Sequence, residues 1–175
     1  MKLRMDLDGI CLQLSIDGYT HTTQQSWDEN WCKCSFSFTS GDWLNYHKER
    51  DEVLLSSEVD RLADRFEKLL NGELEMPVEL SMIEPDFVFR LVPVQDVRNN
   101  PDVVYVREGC ELVDIQVEWQ INFWDDGCLT ANYLTVMLDR ADIEAMLAYL
   151  RLVIGTAAES DPAISKLKEK GLLVE

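Results

Sequence analysis

From Val113 to Phe123 the chain alternates without a slip. Ile115, Val117, Trp119, Ile121 and Phe123 fall on one side, and Asp114, Gln116, Glu118, Gln120 and Asn122 on the other. A period of two marks a strand with one buried and one wet face. Asp125-Asp126-Gly127 follows as a turn, and the run from Cys128 to Leu138 reads as the second arm of a hairpin. A long hairpin with a single apolar face needs further strands or helices to cover that face.

The rest of the sequence supplies them. Leu3 to Leu7 and Ile10 to Ile16 read as two strands joined at Asp8-Gly9, and Gly18 to Asn30 is polar and turn-like. Trp31 to Thr39 puts Cys32, Cys34, Phe36 and Phe38 on one face, and Gly41-Asp42 turns into a strand through Trp43 and Tyr46. Val59, Leu62, Ala63, Phe66, Leu69 and Leu70 form the single stripe of a helix, with Ser57 as its expected N-cap and Gly72 as its stop. Alternation from Leu74 to Met82 is interrupted by Pro77, which argues for an edge position. Phe87, Phe89 and Leu91 share a face, Asn99-Asn100-Pro101 marks a loop, and Val103 to Val106 reads as a further strand. Asp139 is the expected cap of a second helix carrying Ile143, Met146, Leu147, Leu150 and Ile154, closed by Gly155.

This order predicts an α+β fold: mainly antiparallel sheets with two principal helices packed on one face. Residues 1–155 are expected to form one domain. Residues 156–175, with Asp161-Pro162 and a short pattern through Ile164 and Leu167, are expected as a tail or short docked helix.

The composition narrows the chemistry. Thirty-three acidic against sixteen basic residues give a formal net charge of −17, a field that repels nucleic acid and anionic membrane and favours a basic partner, unless it serves only solubility. No stretch approaches the length of a membrane-spanning helix, and the acidic N-terminal region does not read as a secretory signal, so a cytoplasmic location is expected. Five cysteines in no regular framework fit reduced thiols, and the pair Cys32 and Cys34 shares its strand face with two phenylalanines, which reads as core. His21 and His47 lack the neighbours of a metal site, and no phosphate-binding loop or nucleophile elbow occurs. No catalytic residue, metal or cofactor is therefore expected. A hydrolase would need a fold that brings His21 or His47 beside a carboxylate or cysteine in a cleft.

Positive charge is missing from one long stretch. Between Arg107 and Arg140 lie Glu108, Glu111, Asp114, Glu118, Asp125, Asp126 and Asp139, with no lysine or arginine. Asp114 and Glu118 share the polar face of the alternating strand, a surface able to accept hydrogen bonds from a partner's basic side chains; the alternative is an ordinary solvated face. Trp27 and Trp31 flank Asp28 and Glu29, an aromatic and acidic combination suited to an interface, although Trp31 also fits as a cap on the core. Trp27, Asp28, Glu29, Asp114, Glu118, Asp125 and Asp126 are the candidate partner contacts. A different reading, a small-ligand domain or adaptor, requires an apolar pocket between sheet and helix.

The element Trp27-Asp28-Glu29-Asn30-Trp31 opening a strand, the strand end at Gly41-Asp42-Trp43, and the helix entry Leu54-Leu55-Ser56-Ser57-Glu58-Val59-Asp60-Arg61-Leu62 resemble the WapI-like immunity proteins of bacterial contact-dependent competition systems. The resemblance runs from about residue 3 to residue 155. It implies a cytoplasmic, antitoxin-like protein that binds and blocks the C-terminal toxin domain of a secreted polymorphic toxin, often a basic RNA-cleaving domain. It brings no catalytic motif.

Overall fold

The Asp8-Gly9 pair does what its chemistry allows. Both residues hold positive φ, 53° and 86°, the Asp6 carboxylate accepts a hydrogen bond from the Gly9 amide at 2.8 Å, and Leu7 pairs with Ile10 across the turn. The computed structural model describes residues 1–21 and 30–175. The hairpin joins β1 (Lys2–Leu7) to β2 (Ile10–Asp17) and continues through β3 (Trp31–Ser40) and β4 (Leu44–Leu55) as an antiparallel sheet. Cys32, Cys34, Phe36 and Phe38 are all buried on one face of β3, as the alternation predicts. Trp43 stays in the turn before β4 and is 68% exposed.

A second antiparallel sheet is built from β5 (Val78–Ser81), β6 (Phe87–Val92), β9 (Gln116–Asp125) and β10 (Cys128–Leu138), in the order β10-β9-β6-β5. Between β6 and β9, β7 (Gln95–Asp96) and β8 (Leu112–Val113) form a separate two-stranded ladder. The expected strand at Val103 to Val106 does not form; Val104 is fully exposed. Valine-rich sequence favours an extended backbone, but a strand needs a neighbour for its amides, and among the described residues no strand pairs with these. The long alternation around Trp119 also divides. Val113 belongs to the small ladder, the Asp114 carboxylate accepts from the Ile115 amide at 2.8 Å, and the main strand starts at Gln116. Upstream, only Val78 to Ser81 of the expected Leu74–Met82 strand is paired, beginning directly after Pro77.

Among the described residues three α-helices complete the fold: α1 (Ser56–Leu70), α2 (Arg140–Ile154) and α3 (Pro162–Glu169). The cap of α1 is Leu55, not Ser57, because β4 runs into the helix without a linker. Glu58 takes over the capping chemistry, its carboxylate accepting the Leu55 amide at 3.0 Å. In α2, Asp139 and Asp142 cap each other's amides at 2.9 and 3.2 Å, and Gly155 closes the helix at φ 81°. The buried face of α2 is wider than its stripe and includes Ala145, Ala148 and Tyr149, because α1 and α3 both pack on it. Asp161 caps α3, whose Ile164 and Leu167 are buried, and β11 (Leu173–Val174) then pairs with β1, giving the first sheet the order β11-β1-β2-β3-β4.

One apolar core includes residues of both sheets and all three helices. Phe38 meets Trp119 with ring centres 5.4 Å apart, Phe36 meets Phe87 at 4.9 Å, and Phe66 of α1 meets Phe89 at 6.0 Å. The helices also pack on each other; α1 touches β4 and β6, while α2 touches β1, β9 and β10. Burial of rings this large contributes about 2–3 kcal/mol each and fixes the arrangement of the layers.

Candidate functional site

The carboxylates singled out along β9 are strung out rather than gathered. Asp114 precedes the strand, Glu118 lies in its first half, Asp125 is its last residue and Asp126 begins the turn beyond it, a span of about 40 Å at the rise of a strand. Two of them are already paired within the chain. Arg140, at the start of α2, holds Asp114 with two hydrogen bonds of 2.9 and 2.6 Å. Arg90 lies opposite Glu118 in the β6–β9 register and holds it at 2.9 and 3.0 Å. The Arg140 guanidinium, with the Ile115 amide, holds the Asp114 carboxyl below its ordinary value. A partner's cation at either position would have to share or displace an internal arginine.

Asp125 and Asp126 differ. Both are exposed, Asp126 holds the turn at φ 47°, and no ion pair among the described residues reaches either carboxylate. They are exposed negative charges at the tip of the β9–β10 hairpin.

Trp27, Asp28 and Glu29 lie outside the described residues. Both flanks of their segment are anchored at one place, the entrance of α1. The Thr20 amide donates to the Ser56 hydroxyl at 3.1 Å, the Ser56 amide and hydroxyl donate to the Asn30 carbonyl at 2.9 and 3.2 Å, and the Tyr19 hydroxyl donates to Asp60 at 2.7 Å. The described residues on either side of that stretch, Thr20 and Asn30, therefore both bond to Ser56 at the start of α1.

The chemistry elsewhere is that of a core and a wet surface. Burial pushes the Cys32 and Cys34 thiols up, which suits packing and opposes reactivity. His21 and His47 are both exposed, His21 edge-on to Tyr19 with centres 5.0 Å apart. Among the described residues no group of three or more His, Cys, Asp or Glu side chains is placed to hold a metal. Among the described residues no helix is long and apolar enough to cross a membrane. The surface grooves have many polar side chains in their walls; one of about 400 Å³ is bordered by Gln13, Ser35, Asn45 and His47 on the first sheet.

One cluster was not legible in the sequence. Lys48 of β4 reaches Asp86, just before β6, at 2.7 Å and Asp51 at 3.1 Å, and its ammonium lies 4.6 Å from the centre of the Trp124 ring. Asp86 is 2% exposed. Burial raises its carboxyl above the ordinary value while Lys48 pulls it back. The cluster ties the two sheets together. Lys48, Asp86 and Trp124 are far apart in sequence and follow no periodic pattern, so only a tertiary contact reveals it.

No curated protein and no solved structure matches the chain. The family described as immunity protein WapI-like matches it over residues 3–156, from β1 through the end of α2. Membership of that family supports a role in bacterial immunity and implies a protein toxin as partner. The chain belongs to the WapI-like immunity protein family.

Proposed function

We propose that this protein is a cytoplasmic immunity protein that binds a cognate, basic toxin domain stoichiometrically and blocks it by covering a cationic surface. The observation that carries the reading is the family match over residues 3–156. The net charge of −17 supports the basic character of the partner, since opposite potentials speed encounter and suppress wrong partners. Asp125 and Asp126 are the first contacts expected, being exposed and free of internal counter-ions among the described residues. Trp27, Asp28 and Glu29 belong to the same proposed surface set, and Asp114 and Glu118 join it by exchanging Arg140 and Arg90 for a partner's cations. Inhibition then needs no chemistry from this chain.

The test is recovery of the partner by the tagged protein from native lysate at low and then moderate salt, followed by titration of the purified pair. Reversing Asp125 and Asp126 to lysine should weaken the complex by about tenfold or more, mainly through slower association. Unchanged affinity in that variant, or no basic domain recovered from cells shown to express one, would sink the proposal.

A further inference from the structure

The second sheet ends at a strand with backbone groups left over, and β1 and α2 also contact that strand. β10 ends the order β10-β9-β6-β5, and among the described residues no strand pairs with its other side. Its alternation of outward and inward groups follows from one bond. The Asn122 amide donates to the Asp86 carbonyl at 2.9 Å, so Asn122 turns its backbone polar groups toward β6 and away from β10. Tyr133 is opposite Asn122, and in an antiparallel ladder two facing residues either both point their amides at each other or both point them away. The amide and carbonyl of Tyr133 therefore point out from the sheet. The register runs unbroken from Tyr133 to Leu138, so Thr135 and Met137 do the same, while Leu134, Val136 and Leu138 bond to β9.

Edges of this kind are normally blunted by charge, proline or a bulge, because they template pairing with another chain. The 11 residues of β10 contain no charge and no proline, in a chain with 49 charged side chains, 33 acidic and 16 basic. The register shift between Leu129 and Tyr133 blunts the first part only. Beyond it, Tyr133 is 60% and Met137 40% exposed on the outer face.

Charge brackets this neutral edge at both ends. Asp125 and Asp126 lie before it; Asp139 and Asp142 lie after it, with Asp8 close enough to add to the field at Asp142, and the cation between them, Arg140, is paired with Asp114. A second copy of this chain pairing antiparallel would set one acidic end against the other, so self-pairing is opposed. An extended segment with alternating side chains and basic residues at its ends matches both features.

We propose that the Tyr133–Leu138 edge of β10 is the docking site for an extended, lysine- or arginine-flanked segment of a protein partner, which adds a strand to the second sheet. This deepens the toxin-binding reading and rests on it for the partner's identity. Main-chain bonds to Tyr133, Thr135 and Met137 supply affinity, and the acidic ends supply register and selectivity.

The test is amide hydrogen exchange read by NMR, with a short peptide of alternating valine and threonine carrying lysines at both ends, and the same peptide carrying glutamates. In the free protein the amides of Tyr133, Thr135 and Met137 should exchange quickly and those of Leu134 and Val136 slowly. The lysine peptide should protect the first set, the glutamate peptide should not, and Thr135→Pro should weaken binding about tenfold while Thr135→Val retains it, since proline removes an outward donor that β9 does not use. Protection by neither peptide, equal protection by both, protection confined to other residues, or prior protection in a self-associated free protein would overturn the proposal. These outcomes are independent of whether a toxin domain is recovered, so the docking edge and the immunity reading fail separately.

Discussion

Lys48 and Asp86 meet at 2.7 Å where the two sheets adjoin, with the carboxylate 2% exposed and the ammonium beside the Trp124 ring. Removing the cation alone leaves a buried charge without compensation. Lys48→Met should therefore lower unfolding free energy by about 3 kcal/mol in urea titrations at neutral pH, and adding Asp86→Asn should recover part of the loss. A rise in stability in Lys48→Met would show that the pair is not needed.

The sign of the pH effect follows from the same pair. Burial raises the folded-state Asp86 carboxyl above its ordinary 3.8, so its contribution favours folding below that value and is lost as pH rises through the folded-state value. Without Lys48 the rise is larger. The gap in stability between the parent and Lys48→Met should narrow as pH falls toward the ordinary carboxylate range and widen toward neutrality, measured as paired denaturation curves across pH.

Glu58 is buried and joins two elements through one side chain. Its carboxylate accepts from the Leu55 amide at 3.0 Å and from the Ile83 amide at 2.8 Å. Glu58→Ala should cost about 2–3 kcal/mol by stranding both donors, with Glu58→Gln costing less. Equal stability of all three proteins would refute this capping role.

Tyr149 of α2 reaches the first sheet, its hydroxyl accepting from the Ile16 amide at 2.9 Å in a buried setting. Tyr149→Phe should lose about 1–2 kcal/mol, and the Ile16 amide should exchange faster than its neighbours in β2. Loss of stability spread without a local change at Ile16 would assign the effect to packing instead.

Asp114 should titrate below the ordinary aspartate value of 3.8 because Arg140 favours its charged form. With its folded-state value lowered, its contribution to folding is present above 3.8 and is lost as pH falls through the folded-state value. Carboxyl-carbon NMR titration should find it shifted down in the parent and moved back up in Arg140→Ala. An unchanged midpoint in the variant would mean that the contact does not persist in solution.

The local sequence determined the faces of the elements and several of their ends. Cys32 to Phe38 alternate into the core, the Val59 to Leu69 stripe faces it, and Asp139 with Gly155 bounds α2, because side-chain direction and capping depend on residues a few positions apart. Tertiary structure decided what those elements met. Val103 to Val106 have strand-forming side chains but no neighbouring ladder, and Ser57 has capping chemistry but stands inside a helix entered directly from β4. Asp114 and Glu118 read as open acceptors until Arg140 and Arg90 arrive from other elements. Cys128 to Leu138 read as one arm of a hairpin, but only the strand order made Tyr133 to Leu138 an edge. Periodicity acts through neighbouring residues, whereas ion pairing and ladder formation depend on distances that exist only once the chain has folded.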